Sequence, residues 1–501
     1  MGGPRPTRIR TGAAVAAALL LAGAVTGCEL GGGATGDGKD TGSLTWGPCE
    51  ARDGGEPPSA EWSCATATVP VDHAKPDGEK MPVALIRKAA TRKSERIGSL
   101  LFNFGGPGAS GVEQLSAQAT AYTNLNTRYD LVGFDPRGVG GSSAVVCWGD
   151  AEQEKSLTET DATPDTPAEE AALIGSAEDF SSACSRRAGK LLPHLTTSNT
   201  ARDLDLVRQA LGDGKLHYLG FSYGTELGAV YAHLFPEKVG RLVLDAVVDP
   251  TADTAGHARH QTIGFQRALN NYFTKNGEKP EAGTARLAAL LERLDSEPLP
   301  TSSGRRVTES LAVTGMAAAL YSEESWPYLT QALKEAERGN GNTLLALADL
   351  YTDRDASGHY STMAHSQRAI SCADNSERPT VDDARGLLPE FTRISPVFGA
   401  FLAWDTASWC AGWPAAGERV TPDVSAPGAA PILVVGTTGD SATPYEGAKI
   451  MARELGDGVG VLVTNEGEGH GAYGSGACVT RVTDDYLLKG VVPENGTTCQ
   501  G

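Results

Sequence analysis

Residues 216–235 read LHYLGFSYGTELGAVYAHLF, and everything else in the chain is arranged around this stretch. It opens with an apolar run, passes through a serine flanked by Gly220 and Gly224, and continues as a helix-forming segment with no spacer between the parts. The G-x-S-x-G pattern alone is weak in a chain with 61 glycines, so its setting has to decide. A strand entering a turn that opens directly into a helix is the setting that holds a serine on a strained bend with Oγ exposed. Side chains at 220 and 224 would collide with the neighbouring strand and helix.

Apolar runs ending in glycine-rich loops recur on both sides: IGSLLFNFGGPG (97–108), YDLVGFDPRGVG (129–140) and RLVLDAVVDP (241–250). Runs of four to eight apolar residues without alternation suit strands buried on both faces of a parallel sheet. Helical stretches such as TARDLDLVRQALG (200–212) separate them, a β-α-β rhythm that implies a doubly wound α/β sheet with chemistry at the strand C-termini. Upstream, residues 64–90 read as an antiparallel hairpin around Pro76-Asp77-Gly78. From about 251 to 395 the apolar spacing becomes helical, as in GTARLAALLERL and WPYLTQALKEAERG. Strand rhythm returns with PILVVGTTGD (431–440) and VGVLVTNEGEGHG (459–471). The predicted organisation is an N-terminal part of the core over 45–250, a helical cap over 251–395, and a C-terminal part of the core over 396–501.

A serine hydroxyl needs a base, and the base needs a carboxylate to orient it. In this architecture the order is serine, acid, histidine, each just after a strand. Asp440 and His470 fit that order behind Ser222. His217 and His233 lie beside the elbow and read as packed histidines; His257 and His260 are three apart, with no ligand pattern around them. Oxyanion donors are expected from the N–H of Tyr223 and from the Phe104-Gly105-Gly106-Pro107-Gly108 loop, with Gly106 favoured and Gly105 the alternative. That loop lacks both G-x-G-x-x-G and the Walker lysine, so a nucleotide-binding turn is a poor reading.

The 501 residues carry 43 Lys+Arg against 62 Asp+Glu, a net charge of −19 with no basic run, which argues against nucleic acid as a partner. The N-terminus has Arg5, Arg8 and Arg10, then an apolar Ala13–Val25 too short to span comfortably, then Val25-Thr26-Gly27-Cys28. Residues 1–27 read as a signal peptide ending in a sequence that resembles the lipobox of bacterial lipoproteins, which implies diacylation of Cys28 and attachment to a membrane. Residues 28–44 are then a Gly-rich tether. Of nine cysteines, Cys49, Cys64, Cys147, Cys184, Cys372, Cys410, Cys478 and Cys499 remain, an even number suited to disulfides in an exported chain. Eight allow 105 connectivities; short loop closure favours pairing sequence neighbours. No CxxC or CxxxC suggests a metal.

FNFGGPGASG, LVGFDPRGVGGSS, the elbow stretch through LVLDAVVDP, YSEESWPYL, AISCADN and PILVVGTTGDSATP…GEGHGAYG together resemble the α/β-hydrolase serine exopeptidases, specifically the secreted tripeptidyl aminopeptidase and proline iminopeptidase-like proteins of actinobacteria. The resemblance covers nearly all of residues 45–499 and implies Ser222 as nucleophile, Asp440 as acid and His470 as base. Phe104 departs from the His that proline iminopeptidases carry before Gly-Gly-Pro-Gly, which favours the tripeptidyl branch. The resemblance implies an extracytoplasmic aminopeptidase releasing short N-terminal peptides, with a peptide as substrate and no metal or organic cofactor; a monomer is expected. An esterase on the same triad and a non-catalytic binding lipoprotein are the competing readings. An aminopeptidase must also hold a substrate ammonium group, for which Glu226, Glu323, Glu324 and Asp374 are candidates by location, none of them chosen by the sequence.

Overall fold

The computed structural model describes residues 44–51 and 57–500; the expected signal peptide, Cys28 and all but the last residue of the tether lie outside the described residues. Among the described residues there are eleven strands: β1 (Trp62–Pro70), β2 (Lys80–Lys88), β3 (Gly98–Asn103), β4 (Tyr129–Phe134), β5 (Leu216–Phe221), β6 (Val239–Asp245), β7 (Leu299–Pro300), β8 (Arg306–Val307), β9 (Ile432–Gly439), β10 (Gly460–Glu468) and β11 (Thr497–Gln500). Nine of them make one sheet in the order β1-β2-β4-β3-β5-β6-β9-β10-β11, while β7 and β8 form a small ribbon. The β1–β2 hairpin and the β2–β4 pair are antiparallel, and every other pairing in the large sheet is parallel. The α/β-hydrolase fold expected from the sequence is the observed one.

Every residue of β3 and β4 is buried, which accounts for the unbroken apolar runs. Successive residues of a strand feed opposite faces: Tyr218, Leu242, Leu244 and Val434 pack in one core, and Leu219, Val243, Leu433 and Val435 in the other. The helices between β6 and β9 build a third core of their own, including Leu269, Phe273, Leu311, Met316 and Trp326. One helix of that stretch behaves differently. Met363–Asp374 buries Ala369, Ile370 and Ala373 among the residues of the sheet-side core.

The loop after β4 is pinned by Arg137, which is fully buried. Its guanidinium donates to both carboxylate oxygens of Asp203 at 2.7 and 2.6 Å and to the carbonyls of Val71, His194 and Pro70. A buried cation is tolerable when it is paired and hydrogen-bonded in this way. Four disulfides join Cys49–Cys64, Cys147–Cys184, Cys372–Cys410 and Cys478–Cys499, across sequence separations of 15, 37, 38 and 21 residues. These are the sequence-neighbour pairs. Among the described residues no helix is long and apolar enough to cross a membrane.

Candidate active site

Ser222 and Asp440 stand directly after β5 and β9, and His470 follows β10 with Gly469 between. Ser222 is forced into a positive φ of 55° with ψ −124°, a conformation that a non-glycine residue holds only when its surroundings impose it. The glycines around it are required sterically. A Cβ on Gly220 would come within 2.5 Å of the Gly224 carbonyl oxygen and of Tyr218 Cε1, and one on Gly224 within 2.8 Å of the Asn103 carbonyl oxygen at the end of β3.

His470 Nδ1 lies 2.9 and 3.0 Å from the two carboxylate oxygens of Asp440. Asp440 is fully buried, and its carboxylate also accepts from the N–H groups of Ala442 and Thr443 at 3.0 and 2.8 Å and from Thr443 Oγ1 at 3.1 Å. Burial alone would pull the His470 imidazolium down, but the charge and hydrogen bond of Asp440, with Asp245 behind it, leave its pKa above the ordinary histidine value. Asp245, the last residue of β6, ties the serine and histidine loops together. Its carbonyl accepts from Ser222 N–H at 3.0 Å, and its carboxylate accepts from Ala472 and Tyr473 N–H at 2.9 and 2.8 Å. Burial raises the Asp245 pKa to about 6, against the pull of those two N–H groups. Neither Ser222 Oγ nor His470 Nε2 has a hydrogen-bond partner among the described residues, and both residues are partly open to solvent.

The Gly-Gly-Pro-Gly loop packs directly on the elbow. A Cβ on Gly105 would meet the Phe221 carbonyl oxygen at 2.6 Å and Ser222 Cβ at 2.9 Å. Gly105 N–H donates to Asn103 Oδ1 at 2.9 Å, whereas the N–H groups of Gly106 and Tyr223 have no acceptor among the described residues. Of the two glycines, Gly106 is therefore the one with a donor to spare. Phe104 stacks on Phe221, with ring centroids 6.0 Å apart and 13° between planes.

Helices between β6 and β9 reach into this centre at two points. Tyr321 accepts the His470 N–H through its carbonyl at 2.8 Å and sets its ring edge against the imidazole at 5.3 Å. Gln367 donates to the Gly106 carbonyl at 3.1 Å. Neither residue carries a sequence signal for such a role; both become visible only through packing.

The remaining histidines and acids separate cleanly. His217 is held near pKa 4 by burial and by Arg241, Lys215 and Arg96, and its Nδ1 accepts from Arg241 N–H at 3.1 Å. His233 Nδ1 lies 2.7 Å from the Ser425 carbonyl, and His260 lies 3.7 Å from Asp249. Burial lowers the His257 pKa. Glu323 is paired with Lys275 and Glu324 is exposed. Glu226 and Asp374 are brought together near Arg419.

A strained serine at the end of a central parallel strand, on this sheet, makes the molecule a serine hydrolase of the α/β-hydrolase class. Comparison with known proteins narrows the class. A family model described as TAP-like protein matches residues 395–499. Serine protease Hip1 of Mycobacterium tuberculosis is 38% identical over 481 residues, covering 91% of this chain and 91% of that protein. Carboxylesterase B of the same species is 37% identical over 456 residues, 87% and 86% of the two chains, and the Tripeptidyl aminopeptidase of Streptomyces coelicolor is 32% identical over 471 residues, 88% and 84%. The chain belongs to this family of actinobacterial serine hydrolases, and it is peptidase-like within it.

Proposed function

We propose that the protein is an aminopeptidase that releases short N-terminal peptides through an acyl-enzyme, with Ser222 as nucleophile, His470 as base and Asp440 as its orienting acid. The observation that carries this reading is the Asp440–His470 pair, at 2.9 Å, on a loop tied through Asp245 to the strained Ser222. His470 Nε2 takes the Ser222 proton as the Oγ–carbon bond forms, then gives it to the departing amine as the carbon–nitrogen bond breaks; water repeats the sequence to free the acyl group. Gly106 and Tyr223 N–H groups receive the oxyanion, each donor contributing about 2.7–4 kcal/mol to the transition state. Because His470 must be neutral to act and its pKa is raised, the acid limb of kcat/KM falls above the ordinary histidine value of about 6.5.

The names borne by two relatives, a serine protease and a tripeptidyl aminopeptidase, support a peptide substrate, while the name Carboxylesterase B keeps an ester substrate as the competing reading. Residues 1–27 are read as a leader and Cys28 as an acylated anchor, which places the enzyme outside the cytoplasm on a membrane surface. Residues 251–395 are read as a cap that limits substrate length. The test compares an N-terminally free tripeptide anilide with its N-acetyl analogue and a simple aryl ester. Preference for the free amine is expected; equal cleavage of the blocked peptide with faster ester hydrolysis would assign an esterase instead. Fluorophosphonate labelling that disappears in Ser222→Ala identifies the nucleophile, and an unlabelled wild type would leave a binding protein.

A further inference from the structure

Two carboxylates and one guanidinium gather beside the elbow, and their charges do not balance. Glu226 sits in the first turn of the helix Tyr223–Leu234, and Asp374 closes the helix Met363–Asp374. Asp374 is fully engaged on one side: it accepts from Thr197 N–H at 2.7 Å and from Thr197 Oγ1 at 2.6 Å. Having spent its proton there, the Thr197 hydroxyl receives the Tyr223 hydroxyl at 2.6 Å. Glu226 has no hydrogen-bond partner among the described residues and is opposed only by the charge of Arg419. Arg419 in turn donates to Ser198 Oγ at 2.8 Å and lies 3.8 Å from Glu418, so its charge is shared.

Both acids are largely withdrawn from water yet keep some surface. Burial raises Glu226 to about 7 against Arg419, and raises Asp374 to about 8, with Glu226 adding to the rise and Thr197 and Arg419 opposing it. Two carboxylates thus face one guanidinium whose charge is shared with Glu418, a setting that accommodates a further cation. Tyr223 connects it to the chemistry: the residue whose N–H faces the proposed oxyanion also places its hydroxyl in the Thr197–Asp374 network.

We propose that Glu226 and Asp374 together bind the α-ammonium group of the peptide substrate, with Thr197 and Tyr223 fixing Asp374. This rests on the aminopeptidase reading and gives it a structural basis. An ammonium group offers three N–H donors, enough for both carboxylates. Glu226 lies in the first turn of the helix that the elbow opens into, and Tyr223, next to Ser222, is hydrogen-bonded to the Thr197 hydroxyl that holds Asp374. A blocked peptide or a simple ester places no charge here and leaves the acids unpaired, the kind of mismatch that discriminates strongly.

The test measures kcat/KM for the free tripeptide anilide and for its N-acetyl analogue on the full chain, in wild type, Glu226→Gln, Asp374→Asn and Glu226→Asp. Loss of a charged hydrogen-bonding partner is worth about 10- to 100-fold. The free-to-acetylated ratio is expected to fall by that factor in the two amides, mostly through KM, with partial recovery in Glu226→Asp. A merely structural role lowers both substrates together and leaves the ratio intact, which would overturn the assignment. A wild-type ratio near one would instead remove the aminopeptidase reading itself, so the two failures are distinguishable.

Discussion

The loops at the ends of the sheet and the helices between β6 and β9 contribute to the same site by different physics. Ser222, Asp440 and His470 are held by backbone geometry: a positive φ, glycines with no room for a Cβ, and N–H groups closing on Asp440 and Asp245. Tyr321, Gln367 and Asp374 come from the stretch between β6 and β9: Tyr321 and Gln367 each meet a loop of the centre, and Asp374 meets Thr197 at the start of the helix Thr197–Ala210. On the proposed reading, the loops at the sheet ends supply reactivity and the helices between β6 and β9 govern selectivity. Substitutions should separate accordingly, with the sheet loops dominating turnover and the helices dominating selectivity and pH response.

The largest effect belongs to Ser222→Ala, which should reduce anilide hydrolysis by on the order of 10⁴–10⁶-fold and abolish fluorophosphonate labelling. Asp440→Asn should follow at roughly 10⁴-fold in kcat, since the imidazole loses its orientation. A larger loss from any helix variant would contradict this division of roles between the sheet loops and the helices. Next is Gly220→Ala, whose Cβ has no room against Gly224 and Tyr218; a loss of about 1–3 kcal/mol, read as a lower melting temperature, is expected. Tyr321→Ala should be milder, lowering kcat by about tenfold. Removing the ring admits water to His470 and relieves the burial that opposes its charged form, so the acid limb of kcat/KM should move to higher pH.

The smallest effect is on stability and has the opposite sign. Asp374 is raised from 3.8 to about 8, so the folded chain keeps a proton that the unfolded chain releases. Its stabilising contribution is full below the ordinary carboxylate range and is lost as pH rises through about 8. Asp374→Asn should therefore melt a little above wild type at pH 8 and alongside it at pH 4. A variant less stable at both would place Asp374 among the structural supports of the helices.

The legible parts of the molecule are those where local backbone rules act. The unbroken apolar runs marked β3, β4, β5 and β6, and a glycine-flanked serine between strand and helix marked the elbow. Asp440 and His470 could be picked because each follows a strand and sits among glycines. Arg137 could not: a buried guanidinium binding Asp203 and three carbonyls looks like any arginine in a loop until the chain closes around it. Nor could the placement of Met363–Asp374, whose apolar residues pack on the sheet although it lies within a helical stretch. The same holds for the helix Asp150–Glu159, where Glu154 pairs with Arg305 at 2.7 Å and with Arg354 at 3.0 Å. These partnerships join residues far apart in sequence, and spacing rules carry no information about them. Glu226 and Asp374 were equal to Glu323 and Glu324 as letters; only burial and shared partners set them apart.

No disulfide has another cysteine between its two ends, from Cys49–Cys64 to Cys478–Cys499. A chain oxidised in the order in which its thiols emerge during synthesis or secretion thus reaches the native set directly, each bridge closing before the next cysteine appears. Reshuffling by thiol exchange, the slow step for scaffolds with interleaved bridges, is not called for. Cys28 is the one thiol that would put this sequential pairing out of step, by offering itself to Cys49 first. Acylation of Cys28, as proposed, would do more than anchor the enzyme: it would withdraw that competitor.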